Sequence, residues 1–226
     1  MKKLGEIALG VVFSMASLVF FAYVMLFQLG ADQTFFLQQI ESNQLEQVVG
    51  LDKLEIVKAY EQIFEFSKGD RLTLADSEDP FAYSEKETAH MKDVQGLFLL
   101  LERMAWIGIF VGIVILFFAL TRRVSGATIW VSSLGSLLVV GIFAGFMMNE
   151  FQTAFVRFHQ LLFTNDMWLL DPSRDFLIQI MPEAFFVEAA KVLFLRILVA
   201  YGLLHALLVA IDKFNRYCAS RVGQSR

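Results

Sequence analysis

Four apolar runs dictate most of what this chain is able to become. They cover about residues 7–29, 97–120, 127–148 and 189–211. Each is close to the ~20 apolar residues that carry a helix across a ~30 Å hydrocarbon core. Inside lipid the backbone has no water to bind, so a span must satisfy its own polar groups, as a helix does. The expected fold is all-α: a four-transmembrane-helix bundle, one integral membrane domain over residues 1–226, with a small outer-face globular cap from residues 31–96 and 149–188. Hydrophobic residues make up 57% of the chain, with 24 Phe, above the roughly one half usual in soluble domains.

The first run follows Met1-Lys2-Lys3. It is longer than the core of a signal peptide and no Ala-x-Ala site follows, so it reads as a retained transmembrane helix. Orientation follows from the short basic segments. Lys2, Lys3, Arg122, Arg123 and the tail residues Lys213, Arg216, Arg221 and Arg226 fall on one side, which the positive-inside rule makes cytoplasmic. Both termini are then inside, and the two long acidic segments share the outer face. Cys218 is the single cysteine, so no internal disulfide is possible. It reads as an incidental thiol, with S-acylation as the alternative. No internal repeat or low-complexity tract is visible.

Within the first outer segment, Leu51, Leu54, Val57, Tyr60 and Phe64 recur at helical spacing, which predicts an amphipathic helix capped by Gly69. Leu72 and Leu74 alternate as in a short β segment. Ser84-Glu85-Lys86-Glu87 matches a capping box and should start a helix that runs unbroken to Leu120. Such a helix is about 54 Å long, so its first turns must project from the membrane.

Residues 158–186 hold one of three histidines and two of three prolines. Irregular segments on a rigid scaffold are where function concentrates. His90 lies about 10 Å above the apolar part of its helix, and His159 about 16 Å beyond the third run if that helix continues. The two imidazoles therefore sit at similar heights on neighbouring helices. Either they meet just outside the bilayer or each is a surface histidine. Asp93, at i+3 from His90, would fix the imidazole tautomer or belong to a solvated charged run with Glu85, Lys86, Glu87 and Lys92. His205 lies deep in the fourth run and reads as structural. Arg196 would pair with Glu102 or Glu150, hold a polar head group, or snorkel to the interface. Asp93, Asp166, Asp171 and Asp175 with the two histidines would make a metal site, but His-Glu-x-x-His and a cysteine pair are absent. Gly-x-Ser-x-Gly is absent too.

Two motifs sharpen this. Ser84-Glu-Lys-Glu-Thr-Ala-His90-Met-Lys-Asp93-Val resembles the Ser-Glu-x-Glu-x-x-His-Met-x-Asp-Val block of the bacterial lipoprotein intramolecular transacylase family. Phe158-His159, Phe163-Thr-Asn165-Asp166-Met-Trp168, Asp171-Pro172, Asp175, Leu177-Ile178 and Pro182-Glu183 look like that family's second signature, while Ala82 departs from its approach to the first. The resemblance implies an enzyme that moves the sn-2 acyl chain of a diacylglyceryl-cysteine to the α-amino group of the same cysteine, giving lyso-form lipoprotein. It implies His90 and His159 as the catalytic pair. Asp93, Asn165, Asp166, Trp168, Asp171 and Arg196 are supporting candidates, with Trp168 also a candidate interface anchor.

Ester to amide is downhill, so no ATP or cofactor is required. The implied partners are a diacylglyceryl-modified lipoprotein N-terminus and membrane lipid, with no nucleic acid. The implied location is the bacterial cell membrane, with the site on the outer face. Two other classes remain open: a non-catalytic membrane sensor or assembly protein, and a metal-dependent membrane hydrolase.

Overall fold

The structure is a computed structural model and describes the backbone of residues 2–121 and 126–224. Arg122, Arg123 and Arg226, on which part of the orientation argument rests, lie outside the described residues, as do the side chains of Lys2, Arg216 and Cys218. The chain folds into α1 (Lys2–Gly30), α2 (Gln33–Ser42), α3 (Leu45–Val49), α4 (Lys53–Lys68), α5 (Glu85–Leu120), α6 (Gly126–Asn149), α7 (Phe151–Leu162), α8 (Phe176–Ile180) and α9 (Glu183–Gln224). Every apolar run falls inside a helix. Among the described residues, three helices are long and apolar enough to cross a membrane: Lys3–Gly30, Glu85–Ala119 and Glu183–Asn215. The third run is helical as α6.

The backbone gathers into two compact units. One comprises Met1–Val24, Arg103–Gly145 and Phe194–Arg226; the other comprises Met25–Glu102 and Phe146–Leu193. In the first, Phe13, Ile115, Trp130 and Leu208 form the apolar centre. A Cβ on Gly108 would lie 2.8 Å from the Ala16 carbonyl oxygen, so only glycine allows α5 and α1 this approach. Beside that centre runs a buried polar chain from α1, α6 and α9. Tyr201 donates to Ser14 at 2.8 Å, and the Ser133 hydroxyl lies 2.7 Å from His205 Nε2. His205 Nδ1 is 2.9 Å from the Tyr201 carbonyl. A carbonyl only accepts, so Nδ1 carries the hydrogen and Nε2 accepts from Ser133. His205 is thus buried and fully satisfied, one member of a polar tie between helices of the kind that binds spans in lipid.

The second unit is built around α4. Asp52 and Glu55 close a reciprocal capping box at its start, and Gly69 ends it at φ +83°, a left-handed conformation that suits glycine. The helical period holds, and of the expected stripe Tyr60 is buried while Leu51 and Val57 pack partly against the core; Leu54 is the exception. Ile56, Ala59, Tyr60, Ile63 and Phe66 are buried, whereas Leu54 is 77% exposed. The true stripe packs on α2, α8 and the start of α9: the Tyr60 ring stacks on Phe36 at 4.6 Å and on Phe185 at 5.7 Å. The Tyr60 hydroxyl donates to the Ile180 carbonyl at 2.6 Å. Removing that hydroxyl in Tyr60→Phe leaves a buried acceptor unpaired. The expected loss is about 1–3 kcal/mol, read as a lower thermal midpoint in detergent.

No strand forms among the described residues, which corrects the expectation of a β segment at Leu72 and Leu74. Their alternation is real, for Leu74 is 3% exposed and Leu72 94%. Here, however, the polar groups of the segment turn to side chains rather than to a neighbouring strand. Arg71 donates to the Thr73 carbonyl at 2.9 Å and pairs with Asp76, while the Asp76 amide donates to Asp79 at 2.8 Å.

Candidate active site

The second unit brings His90 and His159 together. Their ring centres lie 5.9 Å apart with planes tilted by 37°, and each is at most 8% exposed. His90 sits near the start of α5, whose 36 residues make it about 54 Å long. Glu85, Lys86, Glu87, Lys92 and Asp93 charge its first turns, so these stand outside the apolar part that begins at Leu97. The start is fixed by the expected capping box: the Ser84 amide donates to Glu87 Oε2 at 2.6 Å, and the Glu87 amide to Ser84 Oγ at 3.2 Å.

Glu87 does more than cap. Only 1% exposed, it accepts the Leu177 amide on its second oxygen at 2.6 Å. Asp175 lies 3.4 Å from Ser84 Oγ and accepts the Asp171 amide at 2.7 Å. One buried carboxylate thus joins the helix of His90 to the chain that follows His159. The charged run hid it, because the local pattern looks like a solvated face.

His159 is set by its own helix. Nδ1 lies 2.7 Å from the Phe155 carbonyl, one turn back. That carbonyl can only accept, so Nδ1 holds the hydrogen and Nε2 presents a lone pair. The i−4 spacing on α7 was the available sequence signal for this partner. Aromatic rings enclose the imidazole: Phe155 at 4.2 Å, Trp168 at 4.9 Å, Phe158 at 5.6 Å and Phe163 at 5.6 Å between centres. Phe163 also meets His90 edge-on at 5.3 Å.

The supporting candidates divide. Asp93 Oδ2 accepts Asn165 Nδ2 at 2.9 Å, and Asn165 Oδ1 accepts the Met167 amide at 3.0 Å. Asp93 therefore ties the loop after α7 to α5. The expected tautomer-fixing bond to His90 Nδ1 is not formed, for that buried nitrogen has no hydrogen-bond partner. Asn165 already occupies the carboxylate. Trp168 lies on His159. Asp166 is exposed and edges an open depression of about 460 Å³ over Phe163 and Trp168. Asp171 accepts both the amide and the hydroxyl of Ser173, at 2.9 and 2.7 Å, which holds its carboxyl below the usual range. It shapes the turn and does not reach the histidines. Arg196 belongs to the other unit, half-buried on α9. Among the described residues, no three histidine, cysteine or acidic side chains converge as metal ligands.

Burial sets the protonation of the pair. Loss of water, and then the neighbouring His159, push His90 down to about 4, against a smaller upward pull from Asp93. Burial also lowers His159, with the Phe155 carbonyl opposing. Both rings are therefore neutral at pH 7. Below about pH 6.5, the ordinary imidazole value, the unfolded chain binds a proton at His90 that the folded chain refuses until about pH 4. Stability is then full above pH 6.5 and falls as acid enters that window. Thermal midpoints in detergent should drop between pH 7 and pH 5, and His90→Asn should shrink the drop. An undiminished drop in the variant would contradict this placement.

The family model for the lipoprotein intramolecular transacylase Lit matches residues 8–186. The fold is similar to the solved structure of the membrane-integral lipoprotein intramolecular transacylase Lit from Bacillus cereus: TM-score 0.80, 20% identity, 94% of this chain and 98% of that chain covered. A structure of that protein with a histidine-to-alanine mutation gives TM-score 0.74 at 19% identity, over 94% of this chain and 96% of that one. A histidine-to-arginine variant gives 0.73 at 20% identity, over 94% of each. No curated protein sequence matches this chain.

Proposed function

The chain belongs to the lipoprotein intramolecular transacylase family, whose model spans residues 8–186, and from that premise we propose that His90 and His159 carry the transfer. The protein is an acyltransferase of lipoproteins and an integral membrane protein. The transfer takes the sn-2 acyl chain of a diacylglyceryl-cysteine to the α-amino group of the same cysteine. α6 also spans the membrane, third in order and making four spans in all, both termini are cytoplasmic, and residues 31–96 and 149–188 face outward, as the basic residues direct.

The observation that carries this reading is the geometry of the pair: two neutral, buried imidazoles with centres 5.9 Å apart, one held by Phe155 so that Nε2 is free to accept a proton. The nucleophile is an α-amino group of pKa about 7.7–8.0. A neutral imidazole suffices as its base.

His159 is that base. Its Nε2 takes a proton as the amine nitrogen attacks the ester carbonyl carbon. The tetrahedral intermediate closes a ring of N, Cα, Cβ, Sγ, two glyceryl carbons, the ester oxygen and the acyl carbon. The negative charge falls on the former carbonyl oxygen. His90, kept neutral by burial, gives it an N–H hydrogen bond. A charged His90 is disfavoured here by burial and by its neighbour. The carbon–oxygen bond to glycerol then breaks, and His159 returns the proton to the leaving oxygen. Amide and free hydroxyl result, and His159 is neutral again. Both reacting groups belong to one molecule, so a site that folds it correctly supplies the proximity effect.

Substrate and product have equal mass, but mild base cleaves esters and spares amides. After incubation with the purified protein in vesicles, a diacyl lipoprotein should retain one acyl chain through base treatment, as measured by mass spectrometry of its N-terminal peptide. A peptide stripped of both chains would contradict the proposal.

A further inference from the structure

We propose that Trp168 is a positioning residue of the transfer: its indole face stabilises the imidazolium that forms when His159 takes the amine proton. This rests on His159 being the base, as proposed above. The proton that leaves the amine turns His159 into a cation inside an apolar enclosure. A cation there is costly unless something opposite compensates it.

The compensation at hand is aromatic. The indole centre lies 4.9 Å from the imidazole centre with planes tilted by 30°, nearer parallel than edge-on. A cation over the face of tryptophan, within about 6 Å of its centre, is attracted by the ring's quadrupole, and tryptophan is the strongest of the aromatic residues at this. Phe155 and Phe163 are also tilted toward His159, while Phe158 meets it edge-on. From α5 the titratable groups that face the cage are His90 and, one turn on, Asp93, whose carboxylate is already bonded to Asn165. From α9 it is Phe186, packed on Phe155 at 5.3 Å, that closes the cage. Arg157, on the same helix as His159, turns to Gln160.

The loop that carries Trp168 is fastened accordingly. Asn165 ties it to Asp93 on one side of the indole, and Lys86 donates to the Leu169 carbonyl on the other. Both fastenings come from α5, the helix of His90. The two histidines and the indole are thereby held as one assembly. Trp168, expected as a candidate interface anchor, lies in contact with the reacting base.

Fluorinated tryptophans test this, because each fluorine drains the ring's quadrupole with little change in shape. Residues 106, 130 and 168 are the three tryptophans, so the full-length protein is labelled uniformly and compared with Trp168→Phe labelled in the same way. Turnover should fall stepwise with the number of fluorines, to about one tenth at full substitution, and the series should be flat in Trp168→Phe. The His159 ring titration, followed by NMR, should move to lower pH by about one unit in parallel. An equal rate across the series, or an unmoved His159 titration, would overturn the proposal. The titration does not depend on activity. If His159→Ala remained active while the titration shifted, it is the assignment of the base that would fail, and not the cation–indole contact.

Discussion

Replacing His159 by alanine is expected to lower single-turnover transfer by about 10²–10⁴, the range a positioned general base contributes. The reason is specific to this nitrogen. The Phe155 carbonyl fixes the tautomer at 2.7 Å, so the lone pair that meets the amine lies on Nε2. His90→Ala should cost a comparable amount, because the developing oxyanion would lose its donor in a site that excludes water. The two losses should not add. Residues acting on one step as a unit give a double variant little worse than either single one, whereas independent contributions would multiply. A fully multiplicative double variant would argue against a pair. The comparison is made in vesicles, with thermal midpoints measured alongside to show that each variant remains folded.

Glu87→Ala should be the most destabilising single change in the second unit. Its two oxygens hold the amides of Ser84 and Leu177, both at 2.6 Å, with the side chain 1% exposed. Without it two backbone donors are left unpaired, at about 1–3 kcal/mol each, and a cavity is added. The sum is about 3 kcal/mol or more, a fall of roughly 10 °C in thermal midpoint for a chain of this size. Glu87→Gln should fall between the two, since its amide nitrogen cannot accept a hydrogen bond while its oxygen still can. A midpoint within about 2 °C of the parent protein for Glu87→Ala would contradict the clamp.

The difference between these two sites shows what a sequence carries. The start of α5 was legible because a capping box is a local pattern, complete within Ser84 and Glu87. The end of α4 was legible for the same reason, with Gly69 at the left-handed position. The meeting of His90 and His159 was expected from matched heights on the premise that the third run's helix continues; that helix ends at Asn149, and it is the separate α7, starting at Phe151, that carries His159 to His90. The bond from Glu87 to Leu177 was not, because it joins residues 90 positions apart and depends on how the loop after α7 turns. The same gap explains Trp168. By residue type it is a candidate interface anchor, and the fastenings at Asp93 and Lys86, on a helix distant in sequence, lay it over His159. For Asp93 helical spacing left two readings open, a bond to His90 or a solvated charged run, and a partner from a distant loop, Asn165, takes its carboxylate. On α4 the period and most of the stripe were legible, but Leu54 is exposed and Ile56 buried, for the hydrophobic surroundings that choose between them come from α2 and α8.

The central claim is that one acyl chain moves from the sn-2 oxygen to the amine within one molecule. The most direct measurement uses a lipoprotein with a heavy-isotope acyl chain at sn-2 only, mixed with a second lipoprotein that has an isotopically heavy peptide and ordinary chains. After reaction and mild base, mass spectrometry reads which chain each peptide retains. The account predicts the heavy chain on the light peptide and the ordinary chain on the heavy peptide, with no exchange. Heavy chains spread over both peptides, or an ordinary chain retained by the light peptide, would contradict it.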